Sequence, residues 1–155
     1  VALALVLLST GGCLPPAAWT AGGYTTDETR SSEAAGVVGQ CFRLRYDADV
    51  QFGSRRIDVK HVGAVDIAGR VYFVTPPRPP SAGQPRLPKG TRIGVERVLL
   101  WRNVETSFRT PYIRLDEGLV DAKDLFRDTG EGEGPRRLTY VDRLIAPCAA
   151  NEQAH

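Results

Sequence analysis

The sequence predicts a mainly β fold: a small antiparallel barrel with long loops and one short helical turn. Three observations carry that reading. The 155 residues include 16 glycines and 11 prolines, which favour short strands and turns because both residues weaken helix interiors. Several segments alternate apolar and polar side chains with period two, the pattern of a half-buried strand. One stretch, Leu119 to Phe126, reads as a short helix or 3₁₀ turn. Five or six short strands joined by long loops fit a small barrel.

The strands follow in chain order. In QCFRLRY, residues 40–46, Phe42, Leu44 and Tyr46 share one face and Cys41, Arg43 and Arg45 the other. RRIDVKHV, residues 55–62, alternates through Ile57, Val59 and His61. GRVYFVT, residues 69–75, is short, aromatic and β-branched, a strand composition. TRIGVERVLLW, residues 91–101, sets Ile93 and Val95 against Arg92 and Glu96, then changes phase near Arg97; a bulge there accounts for the change. PYIRLDEG places Ile113 and Leu115 on one side and turns at Glu117-Gly118. LTYVDRLIAPC, residues 138–148, fits a strand or a helical turn equally. Between strands, Thr75 to Gly90 holds six of the eleven prolines. Proline removes ladder donors, so this stretch is excluded from a sheet interior and reads as a polyproline-rich surface loop. TGEGEGPRR, residues 129–137, is a second loop.

The run RLPKGTRIGVERVLL followed by YIRLDEGLVDAKDLF resembles the bacterial SH3-like pattern over about 40 residues. In that pattern a Pro-Lys-Gly-Thr turn opens a strand, and a later strand closes into a one-turn helix. The resemblance implies an SH3-like barrel.

The front of the chain is different. VALALVLLSTGGC begins with eight apolar residues, enough for a signal-peptide core and far fewer than the roughly 20 that span a bilayer. Small residues then lead into Cys13. This resembles the lipobox of bacterial prolipoproteins, with Gly12 in the small position before the cysteine and Thr10 where the family usually has Leu. The resemblance implies cleavage after residue 12 and a diacylglycerol and palmitate-type acyl chain on Cys13. Each buried methylene adds roughly 0.8 kcal/mol, so several chains hold a protein firmly at a membrane. Leu14 after the cysteine, in place of the Asp that retains such proteins at the inner membrane, points to the outer membrane, facing the periplasm. The expected organisation is therefore a signal peptide (1–12), a lipidated terminus and flexible tether (13–36), a β-barrel domain (37–148) and a disordered tail (149–155). Within the tether, Trp19 and Tyr24 are candidates for contact with the membrane interface or a partner.

With Cys13 lipidated, Cys41 and Cys148 remain, and an oxidising compartment predicts that they pair. The bridge closes a loop of more than 100 residues, worth about 4.7 kcal/mol by chain entropy. Strand alternation puts Cys41 on the solvent side, so the bridge would strap the C-terminal tail across the outside of the sheet.

Charge and motifs limit the function. A net charge of +2 is far from the basicity of a nucleic-acid binder, so no nucleic-acid partner is expected. Cysteine and histidine spacing predicts no zinc or other metal, and no cofactor motif occurs. His61 and His155 are the only histidines, and neither reads as a catalytic base; no enzymatic activity is expected. Asp47 and Asp49 lack the further ligands of a calcium loop, and Asp121 and Asp124 read as capping residues. Arg78, Arg86, Lys89 and Arg92, in and after the proline loop, have no acid among them and form a candidate positive lip for an anionic protein, peptidoglycan or lipid headgroups. The function expected is a non-enzymatic binding or accessory role at the envelope. The alternative is an inhibitor or immunity-type lipoprotein that blocks an envelope-acting enzyme through the protruding proline loop.

Overall fold

The computed structural model describes residues 22–73, 85–129 and 136–152. The strands are β1 (Tyr24–Asp27), β2 (Cys41–Leu44), β3 (Ala48–Val59), β4 (Gly63–Tyr72), β5 (Arg86–Leu87), β6 (Arg92–Arg102), β7 (Ser107–Leu115), β8 (Gly118–Asp121), β9 (Phe126–Thr129), β10 (Arg137–Tyr140) and β11 (Ile145–Pro147). Two single 3₁₀ turns, Lys123–Leu125 and Ala150–Glu152, complete it. The fold is mainly β, as the alternation predicts.

Six strands close a barrel in the order β1-β3-β4-β8-β7-β6, with β6 pairing back onto β1. Most neighbours are antiparallel; β1–β3 and β4–β8 are short parallel pairings. The first half of β6 carries β2, which carries β11, while β9 and β10 form a separate ribbon. The phase change near Arg97 is a register shift between Val95 and Arg97, the bulge the sequence predicts. Ahead of β6, Thr91 N donates to Pro88 O (3.1 Å), so the Pro-Lys-Gly-Thr segment does open this strand.

Two cores lie on opposite faces of the sheet. Val98, Ile113 and Val120 belong to one cluster, and their immediate neighbours Leu99, Tyr112 and Leu119 to another. Successive strand residues point to opposite faces, so the clusters are separated by the sheet itself. The smaller cluster, with Val59, Val65 and Ile67, fills the barrel interior; Arg56, Asp58 and Asp66 on the other face are exposed. The larger core sits between the outer face and a cover made by Ala34, Val37, Phe42, Leu44, Ile145 and Leu138, with Phe42 meeting Phe126 edge-on at 5.6 Å. Gly69 is required where β4 crosses β3, because a Cβ there would run into the Gln51 carbonyl.

Several expectations need correction. The stretch 22–36, expected as tether, supplies β1 and buries Ala34 in the core. Its Thr- and Gly-rich composition gives no apolar pattern, and the strand forms because β3 and β6 offer it hydrogen-bonding edges. The tail is ordered through Glu152, which Arg43 grips with two hydrogen bonds. His61 is not on a strand: β3 ends at Val59, and His61 lies exposed in the turn with a left-handed φ of 65°. Tyr46, past the end of β2, is 58% exposed rather than on the Phe42 face. Leu119, Val120 and Asp121 belong to β8, leaving only Lys123–Leu125 helical. LTYVDRLIAPC resolves into two strands with a turn between them.

Cys41 and Cys148 are bonded, with Cα atoms 5.3 Å apart and a sequence separation of 107. The C-terminal segment does not strap the sheet's outer face. It joins the sheet as β11 beside β2, and Cys148 is buried.

Candidate functional site

The inward side chains of β6 and β7 run out of cover at one end of the barrel. There Leu99, Ile57 and Tyr112 floor a cleft of about 410 Å³, with Thr25, Trp101 and Phe108 also lining it. Trp101 and Phe108 are cross-strand partners with ring centroids 5.2 Å apart. Gly23 packs flat on the Trp101 indole, where any Cβ would collide with the ring.

A polar group lies beneath this apolar lining. Burial, aided by the Asp121 carboxylate, pushes the Tyr112 phenol up to about 12, against hydrogen bonds with Arg55 and Thr110 that favour ionisation. Asp121 is buried; its Oδ1 accepts the Lys123 N–H (2.9 Å), and its Oδ2 lies 3.9 Å from Arg55 Nη2. The N-cap of the 3₁₀ turn is Ala122, without a side-chain cap, so Asp121 holds the first N–H of the turn from one residue ahead of it. Asp124 instead accepts two hydrogen bonds from Arg70. The cleft can hold an apolar or aromatic group beside the Arg55 guanidinium. At neutral pH the Tyr112 phenol keeps its proton.

A second opening, about 660 Å³, lies by the β3 bulge and is lined by Phe52, Gly53, Ser54, Arg97, Arg114 and Glu117 among others. Arg114 grips Glu96 with two hydrogen bonds (2.7 and 2.5 Å) and holds its carboxyl below the usual range. Elsewhere, nearly buried Arg109 donates to Glu28 (2.8 Å) and Asp128 (3.2 Å), tying β7 to the N-terminal segment and β9.

The residues singled out from the sequence are dispersed. Cys13, Trp19, Arg78 and His155 lie outside the described residues, as do most of the proline loop and most of TGEGEG. Cys41 and Cys148 form the bridge. The positive lip meets acids that the local sequence does not contain. Arg86 Nε donates to buried Asp49 (2.7 Å), the Lys89 N–H donates to Asp47 (2.7 Å), and Arg92 Nη2 donates to the Glu152 carbonyl (2.5 Å). The Asp49 contact raises the pKa of Arg86 further. Glu152, held below its usual range chiefly by Arg43, sits beside the same cations. Arg86 and Lys89 thus anchor the approach to β6. Arg109, Tyr112 and the Trp101–Phe108 pair escaped the sequence reading. The available signal was an arginine set within the apolar strand SFRTPYI.

Among the described residues no three His, Cys, Asp or Glu side chains converge as a metal site would require. No helix among them is long and apolar enough to cross a membrane. The chain matches no protein-family model, no curated protein and no solved structure.

Proposed function

We propose that this chain is a lipid-anchored protein of the bacterial envelope, held through Cys13, whose barrel is a non-enzymatic binding or accessory module in the periplasm. The observation that carries the reading is the Cys41–Cys148 bridge, built into the sheet at the β2–β11 pairing. Such bonds persist in oxidising compartments and are rare in a reducing cytosol. The stretch VALALVLLSTGGC ahead of it supplies the export and acylation signals that the resemblance implies.

The partner face we assign is the barrel end bearing Lys89 and Arg92. Arg92 opens β6 and Arg102 closes it; ten steps at the usual strand rise separate them by up to about 33 Å. Tyr24, toward which the chain from Cys13 runs, pairs with Arg102 at the other end. A partner can therefore approach Lys89 and Arg92 without meeting the anchor.

Metabolic palmitate labelling tests the anchor. The natural chain takes up label and sediments with membranes, while Cys13→Ser loses both. An unlabelled natural chain among cytoplasmic contents overturns the proposal. Capture from envelope extract tests the role: cell-wall fragments or an envelope assembly support it, and a hydrolase inhibited on binding replaces it with the inhibitor reading.

A further inference from the structure

We propose that the cleft at the β6–β7 turn end of the barrel binds a small aromatic carboxylate, with the ring against Trp101 and Phe108 and the carboxylate on the Arg55 guanidinium. The site lies at the other end of β6 from Arg92 and does not depend on the anchor.

The barrel's filling stops short of this end. Inward positions alternate along each strand. On β6 they pass from Leu99, in the interior cluster, to Trp101; on β7 they run from Tyr112 through Thr110 to Phe108. Leu99 and Tyr112 are each 2% exposed, whereas Phe108 is 47% exposed. The interior is therefore packed as far as Leu99 and open beyond it, and the opening measures about 410 Å³. Clefts of roughly 300–1,000 Å³ hold small molecules, and barrel mouths are a common place for them.

One wall of the opening is aromatic. Trp101 and Phe108 stand 5.2 Å apart with ring planes tilted by 31°. Gly23 brings the β1 backbone against the indole. Such a pair offers a flat ring an offset or edge-on stacking surface.

The opposite wall carries the charge. Arg55, Ile57 and Val59 alternate inward on β3, so an arginine occupies a barrel-interior position. Its side chain is 60% exposed and lines the opening. A guanidinium has five N–H donors. Arg55 hydrogen-bonds the Tyr112 phenol, and Asp121 Oδ2, at 3.9 Å, is beyond hydrogen-bond reach. Asp121 is buried and its Oδ1 accepts the Lys123 N–H, so it backs the guanidinium from inside the barrel. Arg56 and Asp58 face outward by the same alternation, Arg56 toward Asp66 at 3.4 Å. The charge presented to the opening is therefore that of Arg55. Its planar fork matches a carboxylate, which can take two parallel hydrogen bonds. Tyr112 keeps its proton to about 12 and sets no opposing charge beside the ligand.

Trp101 reports the test: with Trp19→Phe it is the chain's single tryptophan. Hydrocinnamate is titrated into the full chain at neutral pH, beside its neutral amide and beside propionate, which lacks the ring. The acid changes Trp101 emission saturably, and the amide and propionate each bind about tenfold more weakly, the value of one charged hydrogen-bond pair or one buried ring. Arg55→Gln removes the preference for the acid over the amide. Phe108→Ala weakens both alike, and because Phe108 is half-exposed this variant serves where Arg55→Gln does not fold. Emission unmoved up to about 10 mM hydrocinnamate overturns the proposal. An amide that binds as well as the acid overturns it, and so does undiminished binding by Phe108→Ala. Emission that shifts with protein concentration alone also overturns it, because a second copy then fills the cleft.

Discussion

Arg109 Nε donates to Glu28 Oε2 at 2.8 Å, across 81 residues of sequence. The same guanidinium reaches Asp128, so one cation in a nearly buried position satisfies two partly buried acids. Arg109→Met leaves both carboxylates uncompensated and is expected to cost about 3–5 kcal/mol. Urea denaturation monitored by Trp fluorescence measures it; a loss below about 1 kcal/mol, the value of an exposed pair, means the triad is solvated.

The bridge should account for a large share of stability. Reduction, or Cys41→Ala with Cys148→Ala, is expected to remove about 4.7 kcal/mol by the chain-entropy argument. The denaturation midpoint with and without reductant reads this directly. An unchanged midpoint in freshly isolated protein, with two alkylatable thiols, would mean the bond is absent.

Gly69 and Gly53 make a matched pair. A Cβ at Gly69 meets the Gln51 backbone carbonyl, while one at Gly53 meets nothing within 4 Å. Gly69→Ala should destabilise by roughly 1–3 kcal/mol, the usual range for overpacking. Gly53→Ala should be close to neutral. Equal effects in thermal melts would show that β3 and β4 do not approach this closely.

Alkaline titration reports on the barrel floor. Tyr112 ionises at about 12 when folded, against an ordinary value of about 10 in the unfolded chain. Its folded-state value is raised, so its contribution is intact below pH 10. Between pH 10 and 12 only the unfolded chain gives up this proton, so stability falls by about 1.4 kcal/mol per pH unit. Absorbance at 295 nm should show one late-titrating phenol that Tyr112→Phe removes. A Tyr112→Phe trace with the same late step would place that phenol elsewhere.

Parts of this fold are legible in the sequence because they rest on local pattern. The alternation of Ile93 and Val95 and the phase slip at Arg97 mark β6 and its bulge, and Phe42 with Leu44 marks β2. Two cysteines left over after Cys13 are enough to predict a pairing that needs no three-dimensional information. What escaped depends on distant partners. YTTD has no apolar period and becomes strand only between the edges of β3 and β6. Glu152 is ordered by Arg43, 109 residues away, and Arg86 is neutralised by Asp49, 37 residues away. The cleft is hidden for the same reason: Trp101 and Phe108 meet across a hairpin, and β1 and β3 supply Thr25 and Ile57.

The closing role of β1 bears on where the folded unit can be cut. A recombinant fragment trimmed to Val37, the boundary that hydrophobic patterning indicates, would be missing a stave. The backbone amides and carbonyls of β6 that face Tyr24–Asp27 would be left bare, along with the end of β3 at Val59. Unpaired strands of that kind recruit one another, so such a fragment is expected to clump, whereas one starting at Gly22 should stay dispersed.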